Sequence, residues 1–159
     1  MDIQEMDFNY ITGQYALNIH PNNCKTTGDW HIGIWDEIKI FPSENVRIAG
    51  IGTDLNTNEI WGNYGIYEGK VYLKNIGIKT QLKNIYIANH IRAVLDMLYD
   101  YIVNVGIIFE IDDASNEYIV DKKSINEMLN KSRLIVKYLN DNQLKIFDEW
   151  YNSELKMAA

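Results

Sequence analysis

Residues 86–105, YIANHIRAVLDMLYDYIVNV, decide how this chain is read. Ile87, Ile91, Val94, Leu95, Leu98, Ile102 and Val105 recur at helical spacing and share one face, the pattern of an amphipathic helix. Asn89, Arg92, Asp96 and Asp100 fall on the opposite face. There Arg92 and Asp96, four residues apart, can form a surface pair worth roughly 0.2–0.5 kcal/mol. Gly106 stands where helices commonly end. The chain before this segment is rich in strand formers and the chain after it is mostly helical in pattern. The segment is therefore expected to be the element against which both halves pack.

Working upstream, residues 10–19 (YITGQYALNI) have strand character, with Gly13 as a bulge, and His20-Pro21-Asn22-Asn23 is a turn. Residues 30–35 (WHIGIW) read as a strand with Trp30 and Trp35 on opposite faces. Further short strands are expected at 38–41, 46–51 and 60–67, the last forming a hairpin with 71–73 through Glu68-Gly69. Downstream, residues 107–111 have strand character. Ser124 with Glu127 has the spacing of a capping box and opens a helix to about residue 139. Residues 140–143 start a last helix, with Leu144, Phe147, Trp150 or Tyr151, and Leu155 inward. The expected fold is α+β: an N-terminal antiparallel sheet of short strands packed on the central helix, with a helical C-terminal part. At 159 residues and 47% apolar, the chain fits one domain, strand-rich over 10–75 and helical over 85–156.

A formal net charge of −7 disfavours phosphate backbones, because nucleic-acid affinity needs Lys and Arg to displace counterions; a partner protein with a basic face fits better. The single cysteine, Cys24, excludes an internal disulfide and fits a reducing cytoplasm. The acidic start MDIQEMDF has no signal-peptide pattern, and no run approaches the ~20 apolar residues that span a membrane. The expected compartment is the cytoplasm, with no membrane partner.

The loop over residues 20–31 holds His20, Cys24, Asp29 and His31, all able to bind zinc. Their spacing matches no regular zinc pattern, so no metal and no cofactor is assigned. Asp29, His31, His90 and Arg92 are the candidates for acid–base catalysis, should they converge in one cleft. No nucleophile motif accompanies them. The run Ala49-Gly50-Ile51-Gly52-Thr53-Asp54 lacks the third glycine and the following helix of a nucleotide-binding turn. Aromatic residues of the first half, Trp30, Trp35, Trp61 and Tyr64 above all, are the candidate partner-binding residues, since Trp and Tyr are enriched at protein interfaces.

Three stretches, residues 11–18 (ITGQYALN), 27–31 (TGDWH) and 88–93 (ANHIRA), resemble a group of small bacterial proteins associated with nucleotidyltransferase-like toxins of the abortive-infection type. The resemblance runs from about residue 11 to 100 and fades afterwards. It implies an antitoxin or similar accessory protein of a bacterial defence module, and it carries no catalytic residues with it. The expectation is thus a non-enzymatic binding protein that neutralises or regulates a partner by direct contact. A phage-encoded inhibitor of a host defence nuclease shares that mechanism. A small hydrolase or nucleotide-processing enzyme using Asp29, His31 and His90 is the alternative from another class.

Overall fold

The computed structural model describes residues 9–30 and 46–158. His31, Trp35, all of the strand expected at 30–35 except Trp30, and the strand expected at 38–41 lie outside the described residues. Among the described residues four short strands, β1 (Tyr10–Ile11), β2 (Ile48–Ala49), β3 (Ile66–Glu68) and β4 (Tyr86–Ala88), form one sheet in the order β2-β1-β4-β3. β1 runs antiparallel to β2 and parallel to β4, with Tyr10 beside Tyr86, and β3 is antiparallel to β4. The fold is α+β, but the sheet is mixed, not antiparallel.

Glycine explains much of the remaining difference. Directly after β1, Gly13 at φ +70° turns the chain into a helix, α1 (Gly13–Leu17), so the strand expected over 10–19 is two residues long. The strand expected over 60–67 is split: α2 (Asn58–Trp61) ends at Gly62 (φ +54°) and β3 begins at Ile66. Residues 71–73 lie in a helix, α3 (Lys70–Asn75), and the antiparallel neighbour of β3 is β4. Residues 107–111 form no strand; Glu110 sits at φ +67°.

The central helix α4 (His90–Asp100) starts later than its periodicity suggests, because residues 86–88 are spent in β4. Asn89 caps it, its side-chain oxygen accepting the Arg92 amide at 2.8 Å. A π-helical turn, Tyr101–Val105, extends it, and Gly106 at φ +89° closes it as the periodicity indicates. α4 packs on α1 and β4 and also on α6 (Lys122–Ser132), so His90 through Leu98 are buried all round.

That enclosure corrects the surface pair. Arg92 and Asp96 expose nothing, and Arg92 Nε lies 3.1 Å from Asp96 Oδ1. The other guanidinium donors reach Gly62 O (2.9 Å), Tyr64 O (2.8 Å), the Tyr10 hydroxyl (3.0 Å) and Thr57 Oγ1 (3.0 Å). Asp96 accepts from the hydroxyls of Tyr10 (2.7 Å), Thr12 (2.8 Å) and Thr57 (2.6 Å). A buried charge pair survives when its remaining donors and lone pairs are filled, and here they are. Asp100 is half-buried and pairs with Arg47 at 3.0 Å.

After α5 (Ala114–Glu117), the α6 cap is Asp121, not Ser124: its carboxylate accepts from Ser124 N at 3.0 Å and Oγ at 2.9 Å. A 3₁₀ stretch, Arg133–Tyr138, follows. The last helix, α7 (Asp141–Ala158), starts where expected, with Asn140 and Gln143 each accepting the other's amide. Its inner face is Phe147, Trp150 and Glu154, whereas Leu155 is largely exposed. The Glu154 carboxylate accepts the amides of Ala114 (3.0 Å) and Ser115 (3.1 Å) and the Ser115 hydroxyl, holding the start of α5. One hydrophobic core draws on residues from Tyr10 to Trp150. No described helix is long and apolar enough to cross a membrane.

Candidate functional site

The loop over residues 20–30 docks on the first turn of α4. Gly28 donates to Tyr118 O at 2.7 Å and Asp29 to Leu17 O at 2.8 Å. Gly28 lies at φ +63°, and a Cβ there would collide with the His90 ring and the Leu17 carbonyl. The close approach puts His90 under the loop, 1% exposed. Its Nε2 meets Ile19 O at 2.8 Å, and its Nδ1 meets Thr26 Oγ1 at 2.6 Å and Cys24 Sγ at 3.5 Å. His20 sits edge-on to His90 at 5.0 Å and lies flat on Trp30 at 3.5 Å. Burial, foremost, and the nearby His90 hold His20 below the ordinary imidazole value.

Three of the four catalytic candidates, Asp29, His90 and Arg92, are among the described residues, and all three are buried. His31 lies outside the described residues. Arg92 spends every guanidinium donor inside the protein, and its network is the frame of the fold. His90 is enclosed and Asp29 is buried. No three His, Cys, Asp or Glu side chains converge to hold a metal ion among the described residues. The pairing that sequence reasoning missed is Cys24 with His90, two residues 66 positions apart. Nothing local signals it, although the Gly28-Asp29 turn hints that the loop folds back onto something.

Of the aromatic candidates, Trp30 is 70% exposed. Trp61 is not on the surface: it is buried, its Nε1 donates to Lys131 O at 2.9 Å, and the Arg92 guanidinium lies over its ring. Tyr64 is half-buried beneath the Lys131 ammonium, 4.4 Å from its ring centre. Both meet Lys131 of the C-terminal half, and of the two only Trp61 is enclosed in the core.

Exposed apolar side chains gather elsewhere. From the end of the π-helical turn onward, Val105, Ile107 and Phe109 are 52%, 66% and 47% exposed. Beside them an open groove of about 390 Å³ is lined by Ile107, Ile108, Asp112, Ile146, Glu149 and Trp150, among others, with no Lys or Arg in its wall. Phe109 packs on Tyr101 at 4.5 Å, and the Tyr101 hydroxyl donates to Glu110 at 2.7 Å. Burial, foremost, and the Glu110 carboxylate raise the Tyr101 hydroxyl, which keeps it a donor. Tyr118 is within electrostatic reach of both Glu110 and Asp29, linking this face to the Trp30 loop. A second cavity, of about 440 Å³, has the opposite character, with Lys70, Lys74 and Lys79 in its wall. No protein-family model matches the chain, and neither a curated protein nor a solved structure shows significant similarity to it.

Proposed function

We propose that this chain is a non-enzymatic binding protein that neutralises or regulates a partner protein by direct contact, and that the partner presents a basic face. The observation that carries the reading is the acid-rimmed apolar face. Ile107 and Phe109 stand out from the surface; Asp112 and Glu149 share the groove wall with Ile107, and Glu110 follows Phe109 and accepts from the Tyr101 on which that ring rests. Exposed apolar area rimmed by polar groups marks interaction sites, and one sign of charge at the rim selects and steers a partner of the other sign. The anchor is held in advance: the Phe109 ring rests on Tyr101, whose hydroxyl is tied to Glu110. Rings held before contact lose less entropy on binding. Trp30, flat against His20, is the second anchor.

The enclosure of His90 and the internal use of every Arg92 donor favour contact over catalysis. An antitoxin-like role, which the resemblance of residues 11–18, 27–31 and 88–93 implies, is part of the proposal. Co-expression with the product of the neighbouring gene is the test. The reading expects a stable complex on a sizing column. A chain that elutes alone beside that product would count against it.

A further inference from the structure

Cys24 does not stand alone in its loop. Its sulfur lies 3.5 Å from Nδ1 of His90, which comes from another element. The opposite ring nitrogen, Nε2, is 2.8 Å from Ile19 O. A carbonyl oxygen only accepts, so Nε2 carries the ring proton and Nδ1 is the acceptor, shared by the Thr26 hydroxyl at 2.6 Å and the thiol at 3.5 Å. Nucleophile, base and a third group that orients the base form the arrangement that activates a thiol. From the sheet side, the Tyr67 hydroxyl is shut off from water, has no hydrogen-bond partner among the described residues and lies within electrostatic reach of the sulfur. Among the described residues, His20, edge-on to His90, and the exposed Lys25 beside Cys24 in the chain are further titratable neighbours.

We propose that Cys24 is a thiol-exchange site for small organic disulfides, with His90 as its base. Nδ1 takes the thiol proton. The Cys24 sulfur attacks one sulfur of the disulfide; a new sulfur–sulfur bond forms, the old one breaks, and the leaving thiolate takes up the proton from His90. The products are a mixed disulfide on Cys24 and one free small thiol. The chain has no second cysteine, so nothing internal resolves the adduct. It persists until an external thiol removes it, which makes the site a reversible cap and not a turnover centre. The cap sits on the loop that carries His20 and Trp30.

Burial by itself would raise the Cys24 thiol, but hydrogen bonds with His90 and Thr26 outweigh it and bring the group down to about 7. The test uses the whole chain with glutathione disulfide between about pH 5 and 9, followed by intact mass, alongside the same chain in urea. The expected result is one adduct, absent from Cys24→Ser and removed by excess thiol. Its rate should inflect near 7 in the native chain and near the ordinary value of about 8.5 in urea. His90→Gln, if it folds, moves the native inflection up toward the urea value. If it does not fold, the comparison of native with unfolded chain decides alone. Coincident native and urea profiles, or no adduct in the native chain, would overturn the proposal.

Discussion

Arg92 and Asp96 are a fully buried ion pair, Nε to Oδ1 3.1 Å, in the middle of the helix on which both halves of the chain pack. Removing one partner leaves the other charged and unmatched in the core. Arg92→Leu or Asp96→Leu alone should cost about 3–5 kcal/mol. Tyr10→Phe, which removes one hydroxyl bonded to the Asp96 carboxylate, should cost about 1.5–3 kcal/mol. Urea unfolding midpoints measure all three; a loss under about 1 kcal/mol for either charge deletion would mean that the pair is not buried as described.

The same helix shows what the sequence discloses and what it hides. Ile91, Val94, Leu95, Leu98 and Ile102 are legible from their spacing, and all are buried. Arg92 and Asp96 have the same spacing as a surface pair, because periodicity records polarity and not enclosure. Only the partners, contributed from residues 10, 12, 57, 62 and 64, make burial possible, and none of them is local. The two- and three-residue strands were hard to bound for a related reason. A strand former such as Tyr15 ends in a helix when a glycine just before it turns the chain at positive φ. The Cys24–His90 pair, like the Arg92 frame, is a long-range contact with no short-range spelling.

Glu154 makes stability depend on pH. Burial, the largest influence, raises its carboxyl, while the Ser115 hydroxyl and the amides of Ser115 and Ala114 oppose that. A raised folded value means that the fold favours the protonated acid. Its stabilising contribution is complete below the unfolded carboxyl value of about 4.3 and is lost as pH rises through the folded value. Glu154→Gln keeps the shape without the titration. Relative to Glu154→Gln, the parent chain should lose stability as pH rises through that window, measured by urea unfolding at a series of pH values. Parallel pH profiles for the two would contradict this.

Gly28 lies at positive φ against His90 and the Leu17 carbonyl. Gly28→Ala should cost at least about 1–2 kcal/mol from the backbone conformation alone. It should also speed amide hydrogen exchange at Asp29, whose N–H donates to Leu17 O only because of the close approach. Unchanged exchange at Asp29 would show that the loop does not need the glycine.

Two tryptophans expected to act alike should separate. Trp61→Ala, a buried ring with a hydrogen bond to Lys131 O, should cost about 3–5 kcal/mol. Trp30→Ala, at an exposed position, should stay within about 0.5 kcal/mol of the parent in stability. Thermal unfolding of the two variants side by side gives the comparison, and equal losses would refute the assignment of Trp61 to the core.

The acid-rimmed face is best tried by calorimetric titration of the neighbouring gene's product with the parent chain, Ile107→Asp and Phe109→Asp. Each variant adds a charge where the parent exposes an apolar side chain, so folding should be preserved while contact is lost. Each should weaken the complex by at least about 2 kcal/mol, roughly thirtyfold, and the parent affinity should fall as salt is added. Binding that is unchanged in both variants and indifferent to salt would contradict a partner held by apolar contact within an acidic rim.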